Sequence, residues 1–269
     1  MVQQTWSPLT RIGGHEGPTS RCVRFLFRRL AQAYFRLDVR GLQHVPKQGG
    51  AIIAGNHPSV LDGILLGVVS PRPVRFLVAE DLYNHPLLYP LFRAAGSIQV
   101  YRTKTHNGDA LQMAVNALEQ GEVIGIFPEG TVSFGGTMRH AKQGVALLAL
   151  RTGCPVIPLA IQGSREAFPP DAKIAFPRRI QLHFDAPITF PRIASERIPE
   201  DQVDSAREQI RQHIANLVTS TQMRPAEKRL HRASWLKWLS IATAALIVVP
   251  LARLLTLTSR PSLDPAVRA

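Results

Sequence analysis

Two cysteines in 269 residues, Cys22 and Cys154, stand far apart and form no Cys-x-x-Cys pair. That excludes a disulfide framework and a thiolate metal cluster, and it suits a reducing compartment. The first 21 residues have no apolar core between polar flanks, so no secretory signal peptide is expected. No Gly-x-Ser-x-Gly elbow occurs, which leaves a serine hydrolase without its nucleophile, and Ser59 stands in the wrong context. There is no internal repeat and no low-complexity tract. Acidic residues are few as well, 19 Asp and Glu against 32 Lys and Arg, a formal charge of +13.

Such an excess asks for a polyanionic partner, either nucleic acid or an anionic membrane surface. Its distribution favours the membrane. Residues 1–40 hold seven arginines (11, 21, 24, 28, 29, 36 and 40) against Glu16 and Asp38. Residues 224–237 hold Arg224, Lys228, Arg229, Arg232 and Lys237 against Glu227 alone. Both clusters adjoin the most apolar segments outside the expected core. No aromatic-rich binding strand or other recognition motif supports a nucleic-acid partner.

Three segments follow from this pattern: a basic amphipathic stretch at 1–40, a catalytic-sized domain at 41–220, and a basic linker with an apolar segment at 221–269. In the first, Val23, Leu26, Phe27, Leu30, Tyr34 and Leu37 recur at helical steps, while Arg21, Arg24 and Arg28 fall on another face. The period suits a helix lying in a bilayer interface and equally one packing on the domain. In the third, Trp238 to Ala252 gives 15 uncharged residues between Lys237 and Arg253. That is short of the ~18–20 needed to span a bilayer, although Arg253 can snorkel and Leu254 to Thr258 extends the run. Trp235 and Trp238 stand where interfacial aromatics usually stand, and the basic residues upstream mark the cytoplasmic side. Spanning and lying in the interface both remain open.

Between them, strands and helices alternate. Strands are expected at Ala51–Ala54, Val74–Val78, Ile98–Tyr101, Val123–Phe127, Val156–Ile161 and Ile180–Phe184. Helices are expected at Pro58–Val69, Pro86–Ala95, Asn107–Glu119, Ala141–Arg151 and Pro199–Val218. This alternation predicts an α/β fold, a mostly parallel central sheet flanked by helices, with the N-terminal amphipathic helix and a C-terminal apolar membrane-associated helix as additions. Pro158 within its apolar strand suggests an edge or a bulge. Chemistry in such sheets gathers at the carboxyl ends of the strands. His57, Arg102 and Glu129 each follow a predicted strand directly.

His57 opens the most informative stretch, Ile52 to Asp62. If Pro58 takes the first helical position, His57 sits at the cap and its ring folds back towards Asp62, five residues on. A carboxylate on one ring nitrogen leaves the other free as a general base. This is a triad without its own nucleophile, a role open to a hydroxyl on the substrate. On the spacing alone, a histidine capping a helix is the commoner case.

The later blocks reverse that balance. Gly96-Ser97-Ile98-Gln99-Val100-Tyr101-Arg102 ends a strand on arginine, Ile126-Phe127-Pro128-Glu129-Gly130-Thr131 ends one on a carboxylate, glycine and hydroxyl, and Val156-Ile157-Pro158-Leu159-Ala160 follows. With His57-x4-Asp62, these four blocks over residues 50–165 resemble the glycerolipid acyltransferases, whose members include lysophosphatidate and glycerol-3-phosphate acyltransferases. The resemblance implies that His57 deprotonates the acceptor hydroxyl and Asp62 orients and stabilises the imidazolium. It implies that Arg102 binds the acceptor's phosphate, that Glu129, Gly130 and Thr131 shape the acceptor site, and that Pro158 has a shaping role. The donor is then acyl-CoA or an acyl carrier protein thioester, with no further cofactor and no metal. The acceptor is a lyso-lipid, lysophosphatidate first, at the cytoplasmic face of a membrane. Two positions depart from the family pattern: Val132 stands where many relatives have arginine, and Glu80 follows Ala79 where they often have lysine. Both remove positive charge, for which Arg75, Arg139 or Lys142 are the candidates to compensate.

Overall fold

The computed structural model describes residues 18–86, 89–101, 107–133, 138, 140–172, 174–195 and 197–221. Arg102, Arg139 and the whole apolar segment Trp238–Ala252 lie outside the described residues, as do residues 1–17.

Five runs form a parallel sheet core, its three central strands almost wholly buried because crossover helices cover both faces. They are β2 (Ala51–Gly55), β3 (Val74–Ala79), β4 (Ile98–Val100), β5 (Val123–Ile126) and β6 (Val156–Gln162). Two more, β1 (Asp38–Arg40) and β7 (Gln181–Phe184), run the opposite way and complete seven strands in the order β1-β7-β6-β2-β5-β3-β4. Among the described strands the one antiparallel pairing is β6 with β7. The helices are α1 (Pro18–Phe35), α2 (Leu61–Val69), α3 (Glu80–Tyr83), α4 (Tyr89–Ala94), α5 (Asn107–Glu119), α6 (Gly144–Thr152), α7 (Ser164–Ala167) and α8 (Glu200–Ser220).

Two cores sandwich the sheet. On one face Leu118, Leu148, Ile210 and Ile214 of α5, α6 and α8 pack on Ile52, Ile124 and Val156. On the other, Leu65, Leu66 and Val69 of α2 pack on Ile53, Val123, Ile157 and Leu159. Each such fully buried aliphatic side chain contributes about 1.5–3 kcal/mol of transfer free energy. The site therefore rests on the rigid centre of the molecule.

The expected α/β architecture is present, with two local differences. Pro58 does not start a helix; α2 begins at Leu61, and residues 58–60 form a turn. The helix expected over Pro86–Ala95 is the shorter α4, with α3 before it. Pro158 is not at an edge, since β6 is flanked by β2 and β7, but the pairing slips by one residue across it, from Leu159 opposite Phe184 to Val156 opposite Ile188, which is a bulge. Its tolerance has a local cause. Ile52 N–H donates to the Pro155 carbonyl, so odd-numbered groups of β6 face β2 and even-numbered ones face β7. The donor that Pro158 lacks would point towards β7 where their register ends, at Leu159 opposite Phe184. Its carbonyl still accepts from Asp185 N–H at 2.9 Å.

α1 packs on the domain at its C-terminal end and exposes apolar residues further back. Phe35 packs towards the core, as does Leu37 just beyond the helix, and the Tyr34 hydroxyl donates to Ala175 O at 2.6 Å. One turn and more earlier, Phe25, Leu26 and Leu30 are exposed, with the Arg29 guanidinium over the Phe25 ring. α1 packs beside α2, where Val60 just before the helix and Ile64 within it are also exposed. Among the described residues no helix is long and apolar enough to cross a membrane.

Candidate active site

β2 and β5 are neighbours at the middle of the sheet, and the chain leaves both at their carboxyl ends within hydrogen-bonding reach. β2 stops because its next residue, Asn56, turns its side chain into the missing strand. The buried Asn56 amide donates to Ile161 O at 2.9 Å, and its oxygen accepts from Ile161 N–H at 2.7 Å. Ile161 faces β2 beyond the last backbone pair, so the amide satisfies two buried groups that would otherwise cost about 1–3 kcal/mol each.

Chain direction is thereby fixed one residue before His57. The turn after β5 then holds the His57 backbone from both sides. Its N–H donates to Glu129 Oε1 at 3.0 Å, and its carbonyl accepts from Ser133 N–H at 2.8 Å. The ring lies flat on Phe127, centroids 4.2 Å apart and planes within 8°. Phe76 lies parallel behind Phe127 at 6.5 Å. That backing needs Gly125, where a Cβ would come within 2.6 Å of the Phe76 ring.

Across the turn, His57 Nδ1 is 2.9 Å from Asp62 Oδ2. Asp62 is fully buried at the start of α2, and the same oxygen accepts from Ser59 N–H at 2.7 Å. The contact is therefore made by a turn that folds onto Asp62 rather than by a proline-started helix. Ser59 is held in turn, its hydroxyl donating to Phe168 O at 3.2 Å. An ionised carboxylate only accepts, so Nδ1 carries the proton and Nε2 keeps its lone pair. The His57 side chain is 16% exposed, and among the described residues Nε2 meets no protein partner. A base with a fixed tautomer and one open nitrogen is the result.

Of the residues marked in the sequence, His57, Asp62 and Glu129 come together here. Gly130 and Thr131 follow on the exposed rim of the same turn. Glu129 uses a carboxylate oxygen to hold the His57 backbone. Arg102 lies outside the described residues, and its strand β4 is the sheet edge, three strands from β2, or about 14 Å at ~4.8 Å per step. Arg75 does not compensate for Val132. It is bound at the amino end, Nε to Gly96 O at 2.6 Å and Nη1 to Glu122 Oε2 at 2.7 Å. Sequence reasoning missed Asn56 and Phe127, although Asn after a buried strand and an aromatic next to a Pro-Glu-Gly turn were both visible. Among the described residues no group of three His, Cys, Asp or Glu is placed to hold a metal. A groove of about 420 Å³ lined by Gln112, Glu119, Arg151 and Arg192 opens near the amino end, away from His57.

This constellation, a buried His–Asp pair at the carboxyl ends of two central parallel strands, defines a base-assisted transferase or hydrolase site without a protein nucleophile. Residues 36–162 match the family model described as Acyltransferase. An uncharacterised protein of Mycobacterium tuberculosis is 31% identical over 165 residues, covering 56% of this chain and 44% of that one. The 1-acyl-sn-glycerol-3-phosphate acyltransferase of Borreliella burgdorferi is 30% identical, covering 51% of this chain and 55% of its own length. The mouse 1-acyl-sn-glycerol-3-phosphate acyltransferase alpha is 25% identical, covering 78% and 73%. The chain thus spans about half the length of the first two relatives. The crystal structure of the 1-acyl-sn-glycerophosphate acyltransferase PlsC from Thermotoga maritima superimposes with a TM-score of 0.56 at 23% identity, covering 76% of this chain and 84% of that one, a likeness of fold. Over this domain the chain is similar to the Acyltransferase family model and to these 1-acyl-sn-glycerol-3-phosphate acyltransferases.

Proposed function

We propose that this protein transfers a fatty acyl group from an acyl thioester to the hydroxyl of a lyso-phospholipid, lysophosphatidate being the first choice of acceptor. The supporting observation is the 2.9 Å contact of His57 Nδ1 with buried Asp62, which leaves Nε2 open. Nε2 takes the proton of the acceptor hydroxyl while that oxygen attacks the thioester carbonyl carbon. The carbon–sulfur bond breaks, and the leaving thiolate receives the proton from the imidazolium, which Asp62 stabilises throughout. No acyl-enzyme forms, and the thioester is acyl-CoA or an acyl carrier protein. Val132 and Glu80 favour an acceptor range wider than lysophosphatidate alone.

The acceptor resides in a bilayer, and we place the protein on the cytoplasmic face of an anionic membrane. The exposed Phe25, Leu26 and Leu30 support this, together with Val60 and Ile64, three and seven residues from His57. The arginines of the same segment add about 1 kcal/mol each near an anionic surface, weakened by salt. The test is acyl transfer to a panel of lyso-lipids in anionic or zwitterionic vesicles, with both donor types. Transfer to lysophosphatidate, faster on anionic vesicles and slowed by salt, is the expected result. Thioester hydrolysis with no acylated lipid in any arm overturns the reaction; equal rates on both vesicles overturn the membrane assignment.

A further inference from the structure

The proposed acceptor carries a phosphate, yet the turn after β5 has Val132 where a cation would be useful. Of the three candidates, Arg75 is bound at the far end of the sheet and Arg139 lies outside the described residues. Lys142 is at the site. Its backbone N–H donates to Pro128 O at 2.8 Å, which fixes its Cα beside the Phe127–Gly130 turn. Its side chain then runs across Gly130: a Cβ at that position would lie 2.8 Å from Lys142 Cδ and closer still to Cε and Nζ. Gly130 also has φ +72°, a backbone conformation that favours glycine. Lys142 is exposed, and among the described residues its ammonium has no ion pair. α6 starts two residues later, and its first-turn N–H groups add potential of the same sign.

We propose that Lys142 is the cation that holds the acceptor's phosphate, its stem guided across Gly130 to the mouth of the His57 site. The proposal rests on the acyl-transfer reading. Glu129, next to Gly130, holds the His57 backbone, so the ammonium and the base belong to one clamped unit. Lysine acts as a point charge and does not need the paired geometry of a guanidinium. That suits a position where the phosphate approaches over a turn.

The test compares the full chain with Lys142→Ala and Lys142→Arg, using lysophosphatidate and monoacylglycerol of the same chain length as acceptors. Lys142→Ala is expected to raise KM for lysophosphatidate by roughly tenfold or more, the scale of one charge-assisted contact. The donor's KM and turnover on monoacylglycerol should change by less than about twofold, and Lys142→Arg should recover most of the loss. Coenzyme A also carries phosphates, so a rise in the donor's KM instead assigns the lysine to the donor and overturns the proposal. Equal losses on both acceptors make the residue structural and overturn it too. Thermal stabilisation by lysophosphatidate over monoacylglycerol provides a reading independent of turnover. Its loss in Lys142→Ala supports the proposal and its retention overturns it, even where wild-type protein transfers no acyl group and the acyl-transfer reading falls.

Discussion

At the amino end of the sheet, Arg72 donates to the carbonyls of Pro46 at 3.0 Å and Gly49 at 2.7 Å, and also to that of Gly121. Beside it Arg75 joins Gly96 and Glu122. At the carboxyl end, among the described residues, His57 keeps Nε2 open and Lys142 lies across Gly130 with no carboxylate on it. The amino-end arginines close the loops before β2, β4 and β5, and they are engaged within the fold. The carboxyl end is also tightly bonded, but there the bonds stop one atom short of the substrate space. Burial pushes the Arg72 pKa down, yet a guanidinium stays charged, so Arg72 is a fastener and not a switch. Among the described residues the cations therefore fall into two populations, those that hold the chain and those that face outward.

The sharpest break between the two ends comes from His57→Ala. Turnover should fall by ~100-fold or more, the usual scale of a lost general base, while circular dichroism stays that of the wild type. Asp62→Asn should be strongly impaired as well, since an amide cannot stabilise the imidazolium. Near-normal turnover in His57→Ala would remove the functional meaning of the carboxyl end.

Arg72→Met should show the reverse profile. It keeps the stem but removes hydrogen bonds to three carbonyls, with an expected loss of about 2–3 kcal/mol in unfolding free energy. Turnover per folded molecule at 25 °C should be unchanged. Denaturant unfolding and steady-state kinetics on the same preparation decide it. Lost activity at unchanged stability would show that the two ends are coupled and that the division drawn here is wrong.

What the sequence disclosed follows the same division. Runs such as Ala51–Gly55 and Val123–Ile126 were legible because a strand buried on both faces must be continuously apolar. His57 and Asp62 were legible as a pair, but by the wrong geometry. The helix starts at Leu61, and the contact depends on Ser59 N–H sharing Asp62 Oδ2. Nothing local in His-Pro-Ser-Val reports that turn. Pro158 was legible as an edge or a bulge but not as which of the two, because strand position depends on pairing with β7, which comes more than twenty residues later. The same limit hid Asn56, whose partner is Ile161, and left Arg75, Arg139 and Lys142 indistinguishable as charges on a line. Long-range register is what the sequence does not carry one residue at a time.

The smallest expected effect lies at the sheet's β1 edge, where charges neither fasten deeply nor face a substrate. Asp38 on β1 accepts from Arg40 at 3.1 and 3.0 Å, from Arg179 at 2.8 Å and from Gln181 at 3.0 Å, tying β1 to β7. The hydrogen bond from Arg40 is the main cause holding its carboxyl well below the usual carboxylate range, against a smaller opposing effect of burial and with help from Gln181 and Arg179. A carboxyl depressed in the folded state binds protons more readily once unfolded. Its contribution is thus complete above the unfolded value near ~4 and is lost as pH falls below that towards the folded value. Asp38→Asn should cost no more than about 1 kcal/mol at pH 7, since both arginines are largely exposed and solvent screens them. The difference between wild type and variant should shrink steadily below pH ~4 and fall with added salt. Unfolding curves at pH 7 and pH 3 measure it. An equal difference at both values would mean that the Asp38 clip works by shape rather than charge, like the fasteners at the amino end.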